Sequence, residues 1–545
     1  MLKTSSLAKW GVAVLLMSSL SSCEDILEQY FPKPTPTPPA IPTFPPLGQD
    51  IAFYALSGGN RLDAYSTANA ATRTNSLSIT GLASGEMLLA IDFRPATGQL
   101  YGISNGSRLY LINQNTGAAR AIGAGAFMPA VSGNLVGFDF NPTVDRIRLV
   151  TSTGQNLRLN PETGTVAATD GVINGAAGTI LSGAAYSNNV PLATSTALYA
   201  IDAAAKQLYL VNPPNNGTVV AVGNLNLNIT GDGGFDIDAK TGTALGLYPV
   251  NGQPTLFTID LSTGAARPLA QYSASLGYTG IAIPTRPVIY TSRFNVGIRG
   301  EHWSDLVIVD PTRITRYGGA RITGLGFDDI IDIDFRPATG QLYALTTTDT
   351  EPNVARLYTI DLGTYAATLV ATLFPIEQVP DRPAYSMDFN PVTDRLRIVS
   401  TFGQNLRVNP VDGTVVEDER LNPSNQAIFG VAYTNSTVGA TTTDLYAVGF
   451  DRSNSATNSI SKLYRQNPPN AGTLTEIGLI SSEERRGIYE LDISGTSNTG
   501  YAIGENGRNS RSLYTIDLAT GRATESTVLG IFDPQTNGLA VGPGF

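Results

Sequence analysis

Cysteine is nearly absent from this chain. Its 545 residues hold one, Cys23, so no disulfide can form within it. Histidine is as scarce, with His302 alone, which removes zinc sites of the usual Cys and His kind and Ser-His or Cys-His nucleophilic catalysis. Charge is thin at 15% of residues, and 35 Lys and Arg against 45 Asp and Glu leave a net charge of -10. That balance disfavours nucleic acid and a bare anionic membrane as partners of the folded part. Neither GxxxxGK[ST] nor a strand-linked GxGxxG occurs, so a nucleotide phosphate cradle has no parts. Helical periodicity is missing after residue 50. What abounds is Gly, Thr, Asn and Ser, the composition of strands and turns.

The N-terminus is the one apolar run. Lys3 and Lys9 precede Trp10 to Met17, too short to stay across a bilayer but suited to a signal peptide. Leu20-Ser21-Ser22-Cys23 follows, resembling the bacterial lipoprotein signal, whose cysteine takes a diacylglycerol and becomes the mature N-terminus. Residues 1–22 are therefore expected to be the signal and Cys23 the lipidation site. Residues 23–49 carry Pro32, Pro34, Pro36, Pro38, Pro39, Pro42, Pro45 and Pro46. A polyproline II run rises about 3.1 Å per residue, so about fifteen residues make a stalk of about 45 Å.

Beyond the stalk the chain says one thing twice. DFNPTVDRIRLVTSTGQNLRLNPETGTV, from Asp139 to Val166, returns as DFNPVTDRLRIVSTFGQNLRVNPVDGTV, from Asp388 to Val415. A repeat of this kind fixes architecture before any single residue does. Inside each unit runs a shorter beat of about fifty residues, each opening on an apolar strand and a turn. The first unit has AIDFRP at Ala90, GFDFNP at Gly137, GAAYSN at Gly183, GFDIDA at Gly234 and GIAIPT at Gly280. The second has DIDFRP at Asp332, SMDFNP at Ser386, GVAYTN at Gly430, ELDISG at Glu490 and GLAVGP at Gly538. Later strands such as LFTIDLSTG at Leu256 and LYTIDLATG at Leu513 end in hairpin turns.

Four short strands per beat describe propeller blades, so the fold class is all-β, two tandem β-propellers of about five four-stranded blades each. The units are expected at residues 50–285 and 286–545. Each ends on a lone inner strand and begins on outer ones, IAFYAL at Ile51 and VIYTSR at Val288, so the last strand can complete the first blade. One ring of ten blades satisfies the same order. The Trp-rich blade closure of quinone-dependent dehydrogenase propellers is missing, since Trp303 is the one tryptophan outside the signal. His302 and Trp303 fall in a stretch the first unit lacks and are expected in a surface loop.

DFRPATGQLY at Asp92 and Asp334, with the two long blocks, resembles the bacterial family known as domain of unknown function 4394. The likeness runs from Ile51 to Phe545 as two copies. It implies an extracytoplasmic propeller and carries over no activity or site residues.

One position of the inner strands reads Asp92, Asp139, Ala185, Asp236, Ala282, then Asp334, Asp388, Ala432, Asp492, Ala540. Three carboxylates per ring would surround an axis, where they could bind Ca2+, serve as catalytic acids, or accept hydrogen bonds between blades. The bonding role is the more economical one, and no metal or other cofactor is otherwise implied. In the long blocks Arg146, Arg148, Asn156 and Arg158, with Arg395, Arg397, Asn405 and Arg407, could clasp a carboxylate, sulfate or sugar, or lock adjacent blades through Asp. NPPNNGT at Asn212 and NPPNAGT at Asn467 read as turns.

These features predict a lipid-anchored propeller pair of the bacterial cell envelope, in the outer membrane facing periplasm or exterior. It would act as a non-enzymatic binding module for a protein or glycan, its membrane contact made through lipid on Cys23. The alternatives are a glycan hydrolase using the Asp trio and a cation-stabilised structural lipoprotein.

Overall fold

The computed structural model describes residues 44–298, 301–313, 315–348, 351, 353–377, 385–453, 460–480, 487–505, 511–526 and 535–545. The signal peptide, Cys23 and residues 24–43 lie outside them. The last six residues of the expected stalk do not. Pro45 offers its carbonyl to Arg267, and Gln49 accepts from Thr67 through its carbonyl and from Thr243 through its side chain.

Ten four-stranded antiparallel sheets make up the rest, and the helices among the described residues are four short 3-10 turns. Alternation of apolar and polar residues produces these strands, because side chains of a pleated strand point to opposite faces in turn. Each blade runs outward from an inner strand. The first ring has inner strands Tyr278–Ala282, Leu88–Phe93, Val136–Asn141, Leu181–Tyr186 and Gly234–Ile237, here blades one to five. The second has Thr536–Val541, Asp329–Arg336, Tyr385–Asn390, Gln426–Tyr433 and Ile488–Ile493.

The last strand of each half completes the first blade of that same half. Tyr54 pairs with Ala282, and Tyr290 with Ala540. The chain therefore closes two five-bladed rings, and the ten-bladed alternative falls. Closure brings inner strands so near that a Cβ at Gly137 would meet the Ala184 Cβ at 2.6 Å. The core lies between blades. Tyr101 and Ile103 of blade two pack with Phe138 and Leu149 of blade three, for example. His302 and Trp303 begin the strand His302–Asp310 instead of sitting in a loop, because it extends a hairpin with Ile289–Val296. Arg321 covers the Trp303 ring at 5.2 Å.

Turns of the two rings meet. Ala96 packs among Val288, Tyr290 and Ile308 of the second ring, and Val438 joins a first-ring cluster. Tyr290 donates to the Ala96 carbonyl at 2.8 Å, Arg94 to the Gly340 carbonyl at 3.1 Å, and Arg146 to Asp361 at 2.8 Å. Residues 44–545 form one compact unit.

Candidate functional site

The expected aspartates do converge. One carboxylate oxygen each from Asp92, Asp139 and Asp236 lies within 4.8 Å of the others, and Asp334, Asp388 and Asp492 repeat the arrangement. All six are buried. Their hydrogen bonds explain the order Asp, Asp, Ala, Asp, Ala. Asp92 accepts from its neighbour Phe93 and, at 2.8 Å, from the Phe140 amide of the next blade. Asp139 reaches the Tyr186 amide at 2.9 Å, and Asp236 the Ile283 amide at 2.6 Å. Each Asp is thus a staple between consecutive blades, from two to three, three to four and five to one. Alanine stands on the two blades that send no staple forward. In the second ring Asp334 accepts from Phe389 and Asp492 from Val541. Asp388 faces the Tyr433 amide, while its Oδ1 is buried without a hydrogen-bond partner.

Burial dominates the acidity of these groups and raises every one of them. Asp236 is pushed up to about 7 and Asp492 to about 8, the amides pulling the other way. Asp92, Asp139, Asp334 and Asp388 are held well above the usual carboxylate range by burial and by repulsion from neighbouring carboxylates. A sugar ring has no access to carboxylates this enclosed. Glycosidase pairs stand about 5 Å apart, or about 6.5–9.5 Å with a water between, around a space that admits the substrate.

Two residues before the trio, the rings part company. The first ring has Ala90, Gly137 and Gly234, whereas the second has Asp332, Ser386 and Glu490. Asp332 accepts from the Met387 amide at 2.7 Å, Ser386 from Val431 at 3.0 Å, and Glu490 from Gly538 at 3.0 Å. These are the same three blade boundaries, so the second ring is stapled twice at each. Burial pushes Asp332 up to about 7 and Glu490 well above its ordinary range. The sequence carried this layer in plain view; comparing the two copies at that position would have found it.

The arginines of the long blocks form a lock. Buried Arg148 donates to Tyr186, Asn156 and Asp170, and its Nη2 holds Asn215 of the NPPN turn in the next blade at 2.6 Å. Asn156 grips the same turn through the Pro214 carbonyl, and Arg158 pairs with Asp170 through two hydrogen bonds. Arg397, Asn405, Arg407, Asp418 and Asn470 repeat the lock in the second ring. Arg146 points to the ring interface instead, and exposed Arg395 donates to the Asp394 carbonyl. Arg395, Arg397 and Arg407 also line a cavity of about 270 Å³ with Tyr433, Pro468 and Pro469. Arg94 does not pair with Asp92. It reaches across to Asp145 and Glu162 of the next blade, as Arg336 does to Asp394.

A second cavity, of about 320 Å³, opens where the inner strands of the first ring begin. Met87, Leu88, Leu89, Leu135 and Val136 supply apolar wall, Gly58, Gly59 and Gly233 complete it, and Ser182, Asp232 and Thr279 add polar residues. Thr279 Oγ1 is buried without a hydrogen-bond partner. Partial burial raises the Asp232 carboxyl. None of these residues announces itself in the sequence, since ordinary apolar and small side chains from separate blades make the mouth.

A family model described as "Domain of unknown function (DUF4394)" matches residues 61–282 and 305–540. No curated protein sequence matches. Among solved structures, TolB from Acinetobacter baumannii is similar at 12% identity over 54% of this chain and 68% of its own, with a TM-score of 0.31. PorZ, described as an essential bacterial surface component of the type-IX secretion system of Porphyromonas gingivalis, is similar at 12% identity. That match covers 88% of this chain and 65% of PorZ, with a TM-score of 0.25.

Proposed function

The chain belongs to the family described as "Domain of unknown function (DUF4394)", and from that premise we propose a lipid-anchored binding module of the bacterial cell envelope. It works through the open mouth of its first ring. The observation that carries the proposal is the cavity of about 320 Å³, which meets solvent while both carboxylate trios are sealed inside. Pockets of this size and apolar lining are where proteins hold small ligands or a partner's side chain. The burial of the trios weighs against a glycan hydrolase. The anchor rests on the basic, apolar and Leu-Ser-Ser-Cys segments of the N-terminus, and the proline tract supplies reach.

Two experiments test the module. Replacing Cys23 by Ala should abolish incorporation of radiolabelled palmitate and release the protein from carbonate-washed membranes; retention in the membrane would contradict the anchor. A photo-crosslinking amino acid at Met87, half exposed at the mouth, should form an adduct in intact cells that one at Val144 does not. Equal adducts from both positions would contradict the mouth as the working surface.

One observation favours a cation on the axes as well. Asp388 Oδ1 is orphaned inside a trio with oxygens within 4.8 Å, a span that suits ligands on opposite sides of a calcium ion at about 2.3–2.6 Å each. Asp334, Asp388 and Asp492 would hold such an ion in the second ring, and Asp92, Asp139 and Asp236 in the first. A ligand of the native state must raise stability. Calcium should then raise the melting temperature and EDTA lower it, and an unchanged melt would contradict the cation.

A further inference from the structure

The second ring carries its own answer to what the first ring's mouth accepts. Counting from the axial aspartates, Phe429 stands where the first ring has Ser182, and Tyr489 where it has Gly233. Phe429 and Tyr489 meet edge to face with centroids 5.9 Å apart, and Phe450 stacks on Phe429 at 5.1 Å. The Arg511 guanidinium lies 5.0 Å over the Tyr489 ring. Below them sits the buried carboxyl of Glu490. The second ring thus fills this end of its axis with aromatic rings and a cation above a carboxyl group.

The first ring keeps apolar surroundings but has no counterpart of the Phe429 ring, while the Tyr248 ring takes the place beside Gly233. Its apolar wall remains in Leu88, Leu89 and Val136, with the Met87 side chain standing half exposed at the rim. A carboxylate of its own stands in the lining, Asp232, where the second ring has Ile488. An anionic ligand would be repelled by Asp232, and a purely apolar one would leave its carboxyl group unanswered. The volume of about 320 Å³, at the small end of ligand pockets, has room for an indole-sized ring system with a short side chain.

We propose that the mouth of the first ring binds an aromatic ring bearing a cationic group, which in a polypeptide partner is an aromatic residue beside Arg or Lys. The ring enters among Leu88, Leu89, Leu135 and Val136, and the cation faces Asp232. This rests on the mouth being the binding surface, and the test separates the two.

Met87, Met128 and Met387 are the methionines of the described residues, and each reports a different place. Met87 lines the mouth, Met128 is exposed and not part of the lining, and Met387 is buried in the second ring. The detergent-solubilised full chain, labelled with carbon-13 in its methionine methyl groups, is titrated with tryptamine, indole-3-propionate and cyclohexylmethylamine. The expected result is a saturable shift of Met87 alone with tryptamine, binding about tenfold tighter than either other probe. Asp232→Asn should bring tryptamine and indole-3-propionate to similar affinity, and Ser182→Phe should abolish the Met87 response. Indole-3-propionate or cyclohexylmethylamine binding Met87 as tightly as tryptamine would overturn the inference and leave the mouth as a binding surface. No shift of Met87 with any probe would overturn both. A tryptamine response at Met128 or Met387 in place of Met87 would overturn the inference by moving the site.

Discussion

At the scale of single residues, the axial aspartates are acids held out of water. Burial pushes Asp236 up to about 7 and Asp492 up to about 8, against an ordinary 3.8. Between about pH 4 and pH 8 the folded protein therefore keeps protons that the unfolded chain has released, and stability falls as pH rises across that window. The melting temperature at pH 5 should exceed that at pH 8.5. Asp492→Asn, which cannot ionise, should narrow the difference, and an unchanged difference would show that other groups set it. The sequence displayed these six residues and their order. What it withheld was the partner of each, because a backbone amide on the neighbouring blade leaves no trace in side-chain chemistry. Asp332 and Glu490 were equally visible as letters, yet only the double stapling of the second ring gives them a role.

At the scale of elements, the lock between the third and fourth blades has a strong and a weak arginine. Arg397 is 2% exposed and bonds buried Asn405, half-buried Asp418 and exposed Asn470, so Arg397→Ala takes the guanidinium donor from one buried polar group and should cost about 1–3 kcal/mol. The Arg407 side chain is 37% exposed, and Arg407→Ala should cost about 0–1 kcal/mol. Urea denaturation of the two variants checks the contrast, and equal losses would contradict it. Strand positions were legible because alternation and Asp-Thr-Gly turns mark them directly. The hairpin at His302 was not, since the first copy has no counterpart against which to measure its length. The mouth escaped for a different physical reason. It is defined by what Ser182 fails to fill, and that shows only when Phe429 is set beside it.

At the scale of the molecule, two closed rings share one interface through their turns. Gly98 has φ of +68°, and a Cβ there would meet the Phe545 ring at 2.3–2.6 Å. Gly98→Val should cost about 1–3 kcal/mol through backbone strain alone and should displace Phe545 from the interface. Scanning calorimetry should then separate the melting of the rings, and a single unshifted transition would contradict an interface that couples them. The number of rings was left open by the sequence because strand order is the same for one ring of ten blades or two of five. Only the pairing of Tyr54 with Ala282 and of Tyr290 with Ala540 distinguishes them. The proposed division of labour gives the buried aspartates the closing of the rings and the first ring's mouth the binding. It is tested by the affinity of tryptamine for the Asp139→Asn protein, read at the Met87 methyl group. An affinity equal to that of the unaltered protein is expected; loss of binding in a variant that remains folded would contradict the division.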